Sequence, residues 1–265
     1  DYAYTYQAPK HILQMILQNG ANVNALNQAG QLPIIKALTA KDYEMVATLL
    51  QYGADVNVTD KNQESALTYV LQHDDVPEEI ETQIFAHNTN YQGYLPKIDQ
   101  PMWKVLLSQE RGDLLNDVFA QIDLIHPDER GEVPLHHILI SDVEPEFVDM
   151  ALDHVSQIDE KYLWEALENK NLLILQKLVA HGANINARNR DNNTLLHYVV
   201  RHQYDKDYIE ALADGKLEVD ALDGNGQTAL ALAIEQNNEP VVRALLQHGA
   251  DVNKILDDKT YLTDL

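Results

Sequence analysis

The chain has 265 residues, 45% of them apolar, which is enough to bury a core and excludes disorder as a description of the whole. It contains no cysteine, which removes disulfides, thiolate nucleophiles and cysteine-ligated zinc and fits a reducing compartment. Forty-two acidic against nineteen basic residues give a formal net charge of −23, a field that repels phosphate and argues against nucleic-acid binding.

In chain order, Ile16-Leu17-Gln18-Asn19-Gly20-Ala21-Asn22-Val23-Asn24 is the first copy of a motif. It returns at Leu49–Asn57, Leu178–Asn186 and Leu245–Asn253. Two apolar residues close an amphipathic helix, polar residues follow, and a glycine takes the left-handed position after the last turn. The chain then leaves as a short extended arm. Apolar pairs that close such helices begin at Ile16, Leu49, Ile84, Val118, Ala151, Leu178, Leu212 and Leu245, at spacings of 33, 35, 34, 33, 27, 34 and 33 residues. The chain therefore reads as one array of about eight repeats over 1–265, degenerate across about 85–178, with a truncated repeat at each end.

Repeat one leaves only Tyr2 to Gln7 for its first helix. Repeat two has Pro33 at a helix start, where its missing N–H costs nothing. Repeat three, around Asp60 to Leu67, lacks a turn glycine, and its second helix opens at Pro77 with Glu78, Glu79 and Glu81, acids that suit a helix N-terminus. The stretch Asn88 to Asp99 has no Gly-Ala-Asp-Val-Asn arm, and Gly93 and Pro96 predict an irregular loop. Helices resume over Met102–Leu107 and at Leu114 to Phe119. Repeat five begins at Gly131-Glu132-Val133-Pro134-Leu135-His136, and its second helix follows Pro145. The 27-residue step predicts that repeat six starts directly at Tyr162-Leu163-Trp164, helix against helix, with no extended finger. Repeat seven starts at Asn189–His197, with Asn192 in place of the turn glycine. Repeat eight starts at Asp223–Leu230, and Pro240 opens its second helix. A ninth unit is under way around Thr260 to Leu265. Starting and ending within repeats is expected of a piece of a longer protein.

These motifs resemble the ankyrin-repeat family over nearly the whole chain. The resemblance implies an all-α solenoid of stacked helix-turn-helix units with short β-turn fingers. It also implies a concave face that binds another protein, with no cofactor. Carried over by position, the family's variable contact sites fall at Leu26, Ala29, Gln31, Thr39 and Ala40 in repeat two. In repeat seven they are Arg188, Asp191, Asn193, Arg201 and His202. In repeat eight they are Leu222, Asn225, Gln227, Glu235 and Gln236. Asn57, Asn186 and Asn253 each lie eight residues after a leucine, which resembles the site that asparaginyl hydroxylases modify. The same asparagines also suit plain bonding to the turn backbone. His136 and His197 occupy the family's histidine position, where the ring bonds the turn.

Residues that carry other chemistry are sparse. His136 and His137 point about 100° apart on a helix and cannot share one metal ion. Asp223-Gly224-Asn225-Gly226 opens like a calcium loop, but Gln227, Thr228 and Ile234 stand where a ligand, a glycine and a glutamate are required. There is no phosphate loop, no His-Glu-x-x-His and no Gly-x-Ser-x-Gly. No catalytic site or metal site is expected. No run approaches the roughly 18 apolar residues of a membrane helix, and no basic-then-apolar leader opens the chain. The expected function is a scaffold for a partner protein, with the acidic charge suiting either a basic partner or simple solubility. The alternative is the targeting region of a larger enzyme or secreted effector whose catalytic domain lies outside this chain. The absence of cysteine with an Asn/Gln-rich composition points to a microbial source and a cytoplasmic setting, the host cytoplasm for an effector.

Overall fold

The computed structural model describes residues 10–88, 90–91, 93–213 and 216–254. The expected helix at Tyr2 to Gln7 and the ninth unit at Thr260 to Leu265 lie outside them. The chain forms two compact units, Asp1–Asp123 and Leu124–Leu265.

The first unit holds α1 (Lys10–Gln18), α2 (Pro33–Thr39), α3 (Tyr43–Gln51), α4 (Ala66–Gln72), α5 (Glu78–Ala86), β1 (Tyr94–Leu95), β2 (Gln100–Pro101), α6 (Met102–Ser108) and α7 (Gly112–Phe119). The second holds α8 (Pro134–Ile140), α9 (Pro145–Asp153), α10 (Lys161–Glu168), α11 (Leu172–Ala180), α12 (Leu195–Arg201), α13 (Lys206–Leu212), α14 (Ala229–Glu235) and α15 (Glu239–Gln247). Among the described residues, α1 is the second helix of repeat one and the other fourteen form seven pairs. Every one of the eight apolar pairs read from the sequence begins inside a second helix.

Helices of seven to nine residues are marginal alone. Two things hold them. Side chains cap their starts: Asp42 accepts from the Met45 amide, Ser65 from Thr68, Asn171 from Ile174, Thr228 from Ala231 and Asn238 from Val241. Stacking then buries their apolar sides, as each repeat contacts its neighbour. First helix packs on first helix in α2 with α4, α10 with α12 and α12 with α14. Second packs on second in α3 with α5, α9 with α11, α11 with α13 and α13 with α15. Val46, Ile84, Leu115, Leu135, Leu163, Leu178, Leu212 and Leu245 are buried between them.

The repeated motif ends its helix as its glycine requires. Gly53 has φ +83°, its amide bonds Leu50 O, and the Ala54 amide reaches back to Leu49 O at 2.9 Å. Gly20, Gly182 and Gly249 repeat this arrangement. The junction between the two helices of a pair is different. There Lys41, Glu110, Lys170, Gln203 and Asn237 take positive φ without being glycine, which composition does not reveal.

Two irregular places differ from each other. Where a loop was expected before α6, β1 and β2 pair antiparallel, Tyr94 with Pro101 and Leu95 with Gln100. Asp99, at φ +59°, turns the chain and donates its amide to Leu95 O at 2.8 Å, so the segment is a minimal hairpin with Leu95 buried. Repeat six does lack a finger: residues 154–160 join α9 to α10 directly.

Candidate functional site

The site candidates lie on the fingers and on the first helices. Each finger is organised by one acid or amide at its first position. Asn27, Asp60, Asp128, Asn189 and Asp223 each bond their own amide to the carbonyl four residues on. Their side-chain Oδ1 accepts amides in return. Asp60 takes those of Asn62 and Glu64 at 2.7 and 3.1 Å, and Asp223 takes those of Asn225 and Gln227 at 2.8 and 2.9 Å. The fourth residue of each turn is left-handed. It is Gly30, Gly131 or Gly226 in three fingers, Asn192 at φ +60° in repeat seven and Gln63 at φ +61° in repeat three. The signal was present, as an Asn or Asp three residues before each of these.

Between repeats seven and eight, the fingers and first helix form one polar network. Arg201 Nη2 pairs with Asp223 Oδ2, whose side chain is fully buried. Arg188 Nη1 donates to Asn192 O at 3.0 Å and Leu222 O at 2.7 Å. His197 Nδ1 lies 2.7 Å from Thr194 Oγ1, and its Nε2 lies 2.9 Å from Gln227 O, as expected at this position. Burial would raise the Asp223 carboxyl, but the Gln227 and Asn225 amides and Arg201 outweigh it and hold it below its ordinary value. Burial, only partly offset by the bond to Gln227, lowers His197. The carboxylate that resembled a calcium ligand is thus occupied by two amides and a guanidinium.

His136 departs from its expected role. Its Nδ1 lies 3.3 Å from Glu165 Oε2 and its ring stacks near Tyr162, because its helix is capped by Val133, which has no hydroxyl to hold the ring at the turn.

The network divides the expected contact residues. Arg188 and Arg201 are tied into the fold, and Gln227 Nε2 donates to Glu235 Oε1 at 2.9 Å. Asp191, Asn193 and Asn225 make no side-chain hydrogen bond among the described residues, and Asp191 and Asn225 are exposed. Leu222 is 44% exposed. His202 is exposed with its ring 4.0 Å from that of Tyr198, and Gln236 Oε1 is buried without a partner. In repeat two, Leu26, Ala29, Thr39 and Ala40 are exposed; Thr39 Oγ1 bonds Ile35 O at 2.8 Å, and Gln31 faces Asn27.

The arm asparagines differ among themselves. Asn186 is tied at both ends, donating to Lys216 O at 2.8 Å and accepting from Glu218 N at 2.9 Å. Asn24 and Asp220 likewise accept the amides of Asp55 and Asp251 from the next arm. Asn253 reaches Asp251 at 3.3 Å. Asn57 makes no side-chain hydrogen bond among the described residues.

Two further features went unread in the sequence. Without a finger on repeat six, a cleft of about 500 Å³ lies beside Ile125, His126, Ile158 and Tyr162. An aromatic cluster spans the first helices of repeats six and seven. The Trp164 and Tyr198 rings meet edge to face at 5.7 Å, and Tyr204 stands at right angles to Tyr198 at 6.1 Å.

Two family models, both of ankyrin repeats, match residues 16–70 and 163–255, together more than half of the chain. An ankyrin repeat domain-containing protein, SAT10, of Stachybotrys chartarum is 28% identical over 53% of this chain and 7% of its own length. A putative ankyrin repeat protein of fowlpox virus, FPV232, is 25% identical over 92% of this chain and 52% of its own. Serine/threonine-protein kinase 12 of Arabidopsis thaliana is 41% identical over 29% of this chain and 16% of its own. The chain spans about half or less of each of these relatives. The human ASB11 ankyrin repeat domain structure aligns with 83% of this chain at 19% identity, with a TM-score of 0.42. With seven helix pairs among the described residues, left-handed glycines closing four of the second helices and ankyrin-repeat models matching more than half of its length, the chain belongs to the ankyrin-repeat family.

Proposed function

We propose that this chain is a protein-binding array that holds its partner on the face made by finger tips and first helices, the concave face of the family. All eight repeats act as a single array in this reading. The observation that carries it is the division within repeats seven and eight. Asp191, His202, Leu222 and Asn225 are exposed, and neither the core nor the turn hydrogen bonds claim their side chains. Such residues are free to vary with the partner, and a few of them are expected to dominate the interface. The charge of −23 favours a partner with a basic surface.

The test is a pull-down with the 265-residue chain and with a variant in which Asp191, Asn193, His202, Leu222 and Asn225 are alanine. The variant keeps its helicity and loses the partner. A partner that stays bound removes this face from consideration. Arg188 and Arg201 stay unchanged in this variant, because changing them would disturb the fold.

A second reading is favoured by one comparison: the matched stretch of the Arabidopsis relative is a small part of a protein named as a kinase. On this reading the array targets a catalytic domain outside the chain, or belongs to a secreted effector acting in host cytoplasm. The cysteine-free composition suits a cytoplasmic setting. Among the three asparagines with the hydroxylase spacing, Asn57 is the best substrate on this reading because its side-chain amide makes no hydrogen bond among the described residues. Intact mass after incubation with an asparaginyl hydroxylase tests this, and an unchanged mass removes it.

A further inference from the structure

We propose that Trp164, Tyr198 and His202, with the carboxylate of Glu168, form the seat for a lysine or arginine side chain of the bound partner. This rests on the reading that the first-helix face holds a protein and names the chemistry it selects.

The rings are fixed in place. Tyr204 backs Tyr198, and its hydroxyl donates to Leu167 O at 2.6 Å; the Tyr208 hydroxyl donates to Lys170 O at 2.7 Å. Trp164 and Tyr198 are half-buried while His202 is exposed, so the cluster offers aromatic surface to solvent without exposing a large apolar patch. The surrounding charge is negative. Glu168 is exposed, and its carboxylate lies near enough to Tyr198 to act on that ring's hydroxyl. Of the nearby cations, Arg201 is neutralised by Asp223. The same neighbourhood already seats the chain's own ammonium groups on rings: Lys170 Nζ lies 5.5 Å from the Tyr204 centroid and Lys161 Nζ 4.8 Å from that of Tyr162. A partner's ammonium or guanidinium would gain ring attraction and carboxylate pairing together. A nucleobase could stack on the same rings, but its phosphate would meet a chain of charge −23.

The chain has two tryptophans, so in a Trp103→Phe background the emission reports Trp164. The probes are fluorescein-labelled decapeptides of alternating lysine and serine, and of alternating glutamate and serine. The lysine peptide changes Trp164 emission and the glutamate peptide does not. By peptide anisotropy, Trp164→Leu weakens the lysine peptide about tenfold, and Glu168→Gln, at an exposed position, weakens it about threefold. The Trp164→Leu difference persists at about 0.5 M salt, where attraction to the overall charge is screened. Absent lysine-peptide binding, binding without a change in Trp164 emission, or equal affinity in both variants overturns the seat. If the alanine variant of Asp191, Asn193, Leu222 and Asn225, with His202 kept, still loses the partner, the array reading stands while the seat falls; if that variant also keeps its partner, both fall.

Discussion

In the finger of repeat eight, Asp223 accepts the amides of Asn225 and Gln227 at 2.8 and 2.9 Å, and in the finger of repeat five Asp128 accepts those of Arg130 and Glu132, both at 2.9 Å. Gly226 and Gly131 take nearly the same φ, +80° and +82°. Locally the two turns are the same. Beyond the turn they part. Asp223 is buried and paired with Arg201 of the preceding repeat, and His197 of that repeat reaches Gln227 O. Asp128 is half-buried, and its carboxylate makes no ion pair among the described residues. A finger is therefore encoded in its own five residues, while its anchoring is supplied by the preceding repeat.

The largest expected effect breaks this comparison at its centre. Asp223→Ala orphans two amides and leaves Arg201 unpaired, and lowers unfolding stability by about 3 kcal/mol. Asp128→Ala orphans the equivalent amides without stranding a buried ion pair and costs about 1 kcal/mol. Urea titration of the two variants checks both, and equal losses would show that lateral anchoring contributes nothing. Next in size is a gain. Gln63→Gly relieves a side chain held at φ +61° and stabilises by about 0.5 kcal/mol, after the entropy that glycine loses on folding. No gain in the urea midpoint would mean that the turn tolerates glutamine without strain.

The smallest effect is set by pH. The folded value of His197 lies below its ordinary 6.5, so its contribution is complete above 6.5 and is lost as pH falls through that value towards the folded one. Asp223, also lowered, contributes above its ordinary 3.8 and loses its contribution only below that. Near pH 6 the finger of repeat eight should therefore loosen while that of repeat five does not. Hydrogen exchange at Asn225 and Gln227, measured against Arg130 and Glu132, reads the difference; a parallel change in both fingers would reject a role for His197.

Much of the fold was legible because it is local. The apolar pairs located every second helix, Gly53 and its counterparts ended four of them, and Asn192 stood in for a turn glycine as expected. What was missed depends on neighbours or on backbone strain. Gln63 keeps the turn of repeat three because Asp60 holds it, although its glycine is gone. Val133 as a cap releases His136 to face Glu165. The candidate site was legible as positions and not as roles. Arg188 and Arg201 stand where variable contacts were expected, yet both are spent on the next finger. Trp164 and Tyr198 come together only when α10 and α12 stack, so no spacing along the chain announces them.

The 27-residue step from repeat five to repeat six has a consequence for engineering. Six residues fewer than a regular unit remove the finger, yet α10 still packs on α12 and α11 on both its neighbours. The helix pair is thus the unit of stacking and the finger an accessory. Residues 154–160 become a natural insertion point, where a transplanted finger or a foreign recognition loop can be added without recutting the helical stack.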